Sequence, residues 1–157
     1  VGSEMCIRDR MEEKEETETE SEALAGKRLL LAEDDRLCGE ILCELLEDET
    51  GRPVSIAANG RAALEMFESA NGEYDAIIMD VQMPVMNGYE AARAIRRSGC
   101  GNAKTVPIIA LTADASEESA RSAADSGMNG CLAKPVNIDR LRKAVAAALK
   151  SLSVAYR

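Results

Sequence analysis

Residues 74–91, YDAIIMDVQMPVMNGYEA, decide the fold. Tyr74–Met79 is a short apolar run that reads as a strand and stops at an acid, Asp80. Met83-Pro84 and Asn87-Gly88 then shape a loop, since proline fixes φ and glycine supplies turn geometry. Asn87 is an N-cap residue type, and Tyr89, Ala92 and Ile95 recur on one side of the helix it opens. Strand, loop and helix make one β/α unit.

The unit repeats in both directions. Arg28–Ala32 (RLLLA) is an apolar run ending in acids, and Leu37, Cys38, Ile41, Leu42, Leu45 and Leu46 follow at the 3–4 spacing of one helix face. Val54–Ala57 is a second strand, closed by Asn59-Gly60, with a helix through Ala63, Leu64 and Phe67. Val106–Leu111 (VPIIAL) is the fourth strand. The helix after it, 116–126, offers only Ala120, Ala123 and Ala124 as apolar contacts and is expected to be the least stable of the five. Gly130–Ala133 is a short fifth strand, and Asn137 caps a final helix carrying Ile138, Leu141, Val145, Leu149 and Leu152. Five β/α units in strict alternation imply an α/β fold, a parallel sheet with helices on both faces. Such sheets bind ligands at the carboxyl ends of their strands.

Composition narrows the rest. The chain has 157 residues, 46% apolar and 3% aromatic, enough for one domain with a core of Leu, Ile, Val, Met and Ala plus a tail. Nineteen basic against 28 acidic residues, net −9, speak against nucleic acid or an anionic membrane surface as a partner. There is no histidine, which excludes a Ser-His-Asp triad, a histidine metal site and an autophosphorylating histidine within the chain. Residues 1–25 hold nine acidic and three basic residues. They are expected to form a disordered acidic tail, with the domain spanning 26–157. The first ten, VGSEMCIRDR, match neither tail nor domain, resemble translated read-through of a sequencing adaptor, and point to Met11 as the start. Five cysteines without a C-x-x-C pair read as reduced thiols of a cytoplasmic protein. No run approaches the roughly 18 apolar residues that span a membrane.

The strand ends carry the chemistry. Glu33 and Asp34 follow the first strand, Asp80 the third, Thr112 the fourth and Lys134 the fifth; the second ends in Ala57 and Ala58. Taken alone, Glu33, Asp34 and Asp35 are acids of the kind that begin a helix. Together with Asp80, Thr112 and Lys134 at matching positions they describe a site. Three converging carboxylates repel unless protonated or neutralised by a cation, and an oxygen set without His or Cys suits Mg²⁺. A carboxylate, a divalent ion, a hydroxyl and an ammonium suit phosphoryl transfer, with an aspartate able to act as nucleophile.

The segments AEDD (32–35), IIMDVQMPVMNGYEA (77–91), PIIALTADA (107–115) and CLAKP (131–135) together resemble the receiver domain of two-component response regulators, above all those of hybrid sensor kinases. The resemblance covers about residues 27–152. It implies a flavodoxin-like doubly wound (βα)5 fold with strand order 2-1-3-4-5. Asp80 is then the phospho-acceptor, taking the group from a histidine kinase or a histidine-phosphotransfer domain. Glu33, Asp34, Asp80 and the backbone carbonyl of Gln82 hold Mg²⁺, with Asp34 the more direct ligand. Thr112 hydrogen-bonds a phosphoryl oxygen, Lys134 pairs with the group, Ala113 leaves room for it, and Lys134–Pro135 is a cis peptide. Gln82 and Asp114 stand where the family tunes access of hydrolytic water. The family's usual Tyr or Phe, three residues before the lysine, is Cys131 here, which puts aromatic coupling to the output face in doubt. The function implied is a phosphorelay receiver rather than a turnover enzyme; a phosphorylation-independent adaptor is the alternative. An aspartyl-nucleophile phosphatase is disfavoured because Gln82 stands where its second acid is needed.

Overall fold

The computed structural model describes the backbone of residues 22–114 and 116–155 and side chains through Lys150. Five strands, β1 (Leu29–Ala32), β2 (Ser55–Ala57), β3 (Ala76–Asp80), β4 (Ile108–Thr112) and β5 (Gly130–Ala133), alternate with five helices. These are α1 (Arg36–Thr50), α2 (Gly60–Ser69), α3 (Gly88–Arg97), α4 (Glu117–Asp125) and α5 (Ile138–Ala155). All strand pairs are parallel, in the order β2-β1-β3-β4-β5. This is the doubly wound, flavodoxin-like arrangement.

Strand periodicity of two sorts the apolar runs onto two faces. Leu30, Ala32, Ile77, Met79, Ile108 and Ala110 pack against Ala63, Phe67, Ala91 and Ile95 of α2 and α3. Leu29, Leu31, Ala76, Ile78, Ile109 and Leu111 pack against Leu42, Leu46, Leu141 and Val145 of α1 and α5. Burying a Leu, Ile or Phe is worth about 1.5–3 kcal/mol each, so the two layers hold the sheet from both sides.

Side chains cap the helices where the chain leaves the strands. Asp35 accepts from the Cys38 amide at 3.1 Å, Asn59 from Ala62 at 2.8 Å, Asn87 from Glu90 at 2.9 Å and Ser116 from Ser119 at 3.2 Å. Asn137 accepts from the Asp139 amide at 2.8 Å.

The structure shifts three expectations. β3 and β4 begin and end later than the apolar runs: Asp80 pairs with Leu111 and Thr112 with Ala133, so both are the last residues of their strands. The apolar stripe of α1 is split rather than buried as one face: Leu42 and Leu46 are buried, whereas Leu37 and Ile41 are 67% and 51% exposed. Packing begins before Gly26, because Leu24, in a helical turn at 22–24, is fully buried beside the α1–α5 layer. The acidic segment 1–21 lies outside the described residues.

Candidate functional site

At the carboxyl edge of the sheet the ends of β1, β3 and β5 form a crevice. Glu33 and Asp80 are buried and Asp34 is exposed, yet each of the three offers a carboxylate oxygen within 4.8 Å of the others. The Lys134 ammonium bridges two of them, 2.9 Å from Glu33 Oε2 and 2.9 Å from Asp80 Oδ2. The second oxygens are held by backbone: Glu33 Oε1 accepts from the Asp35 amide and Asp80 Oδ1 from the Gln82 amide, each at 3.2 Å. The Lys134 amide donates to the Thr112 carbonyl at 2.8 Å, which holds its backbone beside the end of β4, and the Lys134–Pro135 peptide is cis, as expected.

The electrostatics follow from burial. Burial pushes the Glu33 carboxyl above its ordinary range, and the hydrogen bonds from Lys134 and the Asp35 amide only partly oppose this; Asp80 adds to the rise. Ionised Glu33 is therefore a standing cost at neutral pH, relieved as pH falls. For Lys134, burial alone pulls its pKa down, but the bonds to Asp80 and Glu33 win and hold it above the usual lysine range. The stabilisation it contributes is complete at neutral pH and is lost only as pH rises above the ordinary lysine range, through the folded value. One ammonium facing three carboxylates leaves excess negative charge, and the donors are all hard oxygens. That set fits a small divalent cation such as Mg²⁺.

The remaining expected site residues are placed differently. Thr112 is buried, but its hydroxyl turns back on its own loop, donating to the Asp114 carbonyl at 3.2 Å and accepting from the Asp114 amide at 3.3 Å. Ala113 and Asp114 are exposed at the rim. Gln82 lines a cavity of about 500 Å³ with Asp34, Val81, Met83, Asn87 and Tyr89. Met83, Asn87 and Tyr89 were legible only as loop or helix residues; the loop after β3 and the start of α3 carry them to this cavity. Cys131 is half-buried on β5, where burial raises its thiol pKa and keeps it protonated.

The loop between β3 and α3 is tightly built. The Met86 amide donates to the Pro84 carbonyl at 2.7 Å, closing a turn on Val85, which has φ +69° and a 77% exposed side chain. A β-branched residue there is strained. Gly88 is required for contact: a Cβ would collide with the Asp80 carbonyl oxygen.

A second concavity, about 510 Å³, runs from Glu33 and Lys134 along α1, lined by Ile41, Leu42, Leu45, Pro135 and Val136. Its apolar wall adjoins the charged crevice directly. No helix among the described residues is long and apolar enough to cross a membrane.

Comparison with known proteins places these features among relatives. The response regulator receiver domain model matches residues 29–146. Probable histidine kinase 2 of Oryza sativa subsp. indica is 36% identical over 138 residues, 80% of this chain and 13% of that protein. Hybrid signal transduction histidine kinase I of Dictyostelium discoideum is 33% identical over 114 residues, 71% of this chain and 6% of that protein. This chain thus spans a small fraction of the curated relatives it matches. A solved receiver domain of a Pseudomonas aeruginosa sensor histidine kinase, with a magnesium ion coordinated in its active site cleft, is 36% identical. Its TM-score is 0.68, covering 80% of this chain and 99% of that one. Vibrio cholerae chemotaxis protein CheY4 is 34% identical with a TM-score of 0.71, covering 79% and 99%.

Proposed function

The chain belongs to the response regulator receiver domain family of two-component signalling, and from that premise we propose that Asp80 accepts a phosphoryl group from a phosphohistidine on a partner protein. One observation carries the reading: the Asp80 carboxylate sits at a strand end, held 2.9 Å from a lysine that also holds Glu33 at 2.9 Å. The chain has no histidine, so the donor imidazole comes from outside residues 1–157. A histidine kinase or histidine-phosphotransfer domain supplies it, and the apolar groove beside Lys134 is the surface such a protein covers.

In the transfer, an Asp80 oxygen attacks phosphorus, an acyl phosphate bond forms, and the P–N bond breaks with its electron pair passing to the imidazole nitrogen. Lys134 exchanges its bond to the Asp80 carboxylate for one to a phosphoryl oxygen. Thr112 gives up its bond to Asp114 to donate to another. Asp34, Asp80 and the Gln82 carbonyl would hold Mg²⁺, with Glu33 behind them. The ion supplies neutralisation of charge on the transferring group. The modified Asp80 and displaced Thr112 then switch conformation. Each chain accepts and slowly hydrolyses its own phosphoryl group in the cytoplasm, and is not a turnover enzyme.

Incubating wild type and Asp80→Asn with Mg²⁺ and an acyl phosphate donor tests this. The expected result is an acid-stable, alkali-labile phosphate on wild type that falls to background in Asp80→Asn and on omission of Mg²⁺. Equal labelling of Asp80→Asn overturns the acceptor assignment. A wild type that takes no label supports a phosphorylation-independent adaptor instead.

A further inference from the structure

Two hollows adjoin the charged crevice. The groove along α1 reaches it through Glu33 and Lys134. The cavity of about 500 Å³ reaches it through Asp34 and through Gln82, whose amide donates to Asp80 Oδ1 at 3.2 Å. A partner surface laid on the groove leaves the cavity open.

The cavity is walled by Val81, which is buried, and by Met83 and Tyr89, which are half-buried and pack against the α2–α3 side of the core. The Asn87 side chain is spent on capping α3: its Oδ1 accepts from the Glu90 amide at 2.9 Å and its Nδ2 donates to Glu90 Oε1 at 3.0 Å. An aromatic ring, a thioether and the Gln82 amide are left to meet a ligand, with the Asp34 carboxylate beside them. Tyr74 shows the contrast. It is buried, stacks on Phe67 and donates its hydroxyl to Ser55 Oγ at 3.2 Å, so it is a core ring. Tyr89 instead lines a hollow that shares Asp34 with the cation site. Burial, with the Cys131 thiol adding to it, pushes the Tyr89 phenol up, so its ring is neutral at physiological pH. A neutral aromatic face, a polarisable sulfur and a nearby carboxylate suit a flat ring that carries delocalised positive charge.

We infer that this cavity receives the imidazole ring of the phosphoryl donor, stacked on Tyr89, and that Tyr89 sets a preference for donors whose leaving group is such a ring. The ring enters protonated on the nitrogen that does not carry phosphorus, with its positive charge spread over the ring. An Asp80 oxygen bonds phosphorus, the P–N electron pair returns to the ring, and the ring leaves as neutral imidazole with that proton still in place. The face of Tyr89 attracts the cationic ring before transfer more than the neutral ring after it, which holds the donor and lets the product go. The inference rests on the acceptor reading and adds to it the place of the leaving group.

Labelling the full chain with Mg²⁺ and either monophosphoimidazole or acetyl phosphate tests it, because the two donors carry the same phosphoryl group on different leaving groups. The quantity to read is the ratio of the two second-order rates. Tyr89→Leu should lower the monophosphoimidazole rate about tenfold and hold the acetyl phosphate rate within about twofold of wild type. Tyr89→Phe, which keeps the ring face, should leave both rates unchanged. A Tyr89→Leu ratio equal to that of wild type overturns the inference, whether the two rates hold or fall together. So does a Tyr89→Phe ratio as low as that of Tyr89→Leu, which assigns the effect to the hydroxyl. Asp80→Asn separates the two readings. If it labels like wild type, the acceptor assignment fails and the cavity's role falls with it; if it stays unlabelled while the Tyr89→Leu ratio is unchanged, the cavity's role alone fails.

Discussion

Helices α1 and α4 both leave the sheet at a crevice residue, α1 after Glu33 and Asp34 and α4 after Thr112, yet they are held in opposite ways. α1 runs 15 residues and buries Leu42 and Leu46. It is tied down further along, through Glu47 to the Val54 amide at 3.0 Å and through Glu49 to Arg142 of α5 at 2.9 Å. α4 runs 9 residues, buries Ala123 alone, and takes its position from contacts beyond its last turn. The side of the crevice that carries the carboxylates is fixed by packing; the side that carries the hydroxyl is loose where it meets the chemistry. The proposed function, in which the site holds a cation before modification and changes shape after it, suits one rigid wall and one yielding wall.

The contrast can be broken in three places. Leu46→Ala should remove about 3 kcal/mol of global stability, read as a lower urea midpoint at unchanged slope. A loss below about 1 kcal/mol would mean α1 is no better anchored than α4. Glu49→Gln strips Arg142 of its bidentate carboxylate and should cost about 2 kcal/mol, seen as a lowered melting temperature. An unchanged melting temperature would show that α1 does not depend on α5. Ala123→Gly is the smallest, about 1 kcal/mol from helix propensity. It should appear as faster exchange of α4 amides with the global transition almost unmoved. A global loss matching that of Leu46→Ala would put α4 in the rigid part of the molecule.

The alternation of strands and helices follows from apolar runs of four to six residues, all but the second ended by a polar residue that the parallel ladder then carries to one edge, whereas the strand order came with the family resemblance. The sparse burial of α4 was legible too, because three alanines leave little area to bury. The bond network was not. Nothing in the spacing of Glu33, Asp80 and Lys134 says that one ammonium bridges two carboxylates, since that depends on where the last residue of each strand falls. Arg96 reads as an ordinary basic residue at a helix C-terminus, yet it donates to the Gly127 and Ala103 carbonyls, groups that every residue carries. Thr112 was expected to face the phosphoryl group; unmodified, its hydroxyl finds a nearer acceptor in Asp114. The exposure of Leu37 and Ile41 was hidden by a periodicity that marks apolar residues without telling a core from a surface.

Gly88 backs the end of β3. Because even a methyl at that position would strike the Asp80 carbonyl, the first turn of α3 rests against the main chain of the proposed acceptor like an anvil behind a workpiece. When a group is driven onto the Asp80 side chain, its backbone has nowhere to recoil. Under the proposed transfer the added bulk has to be accommodated sideways, toward β4, where the neighbouring strand ends in a hydroxyl with a short, thinly packed helix behind it.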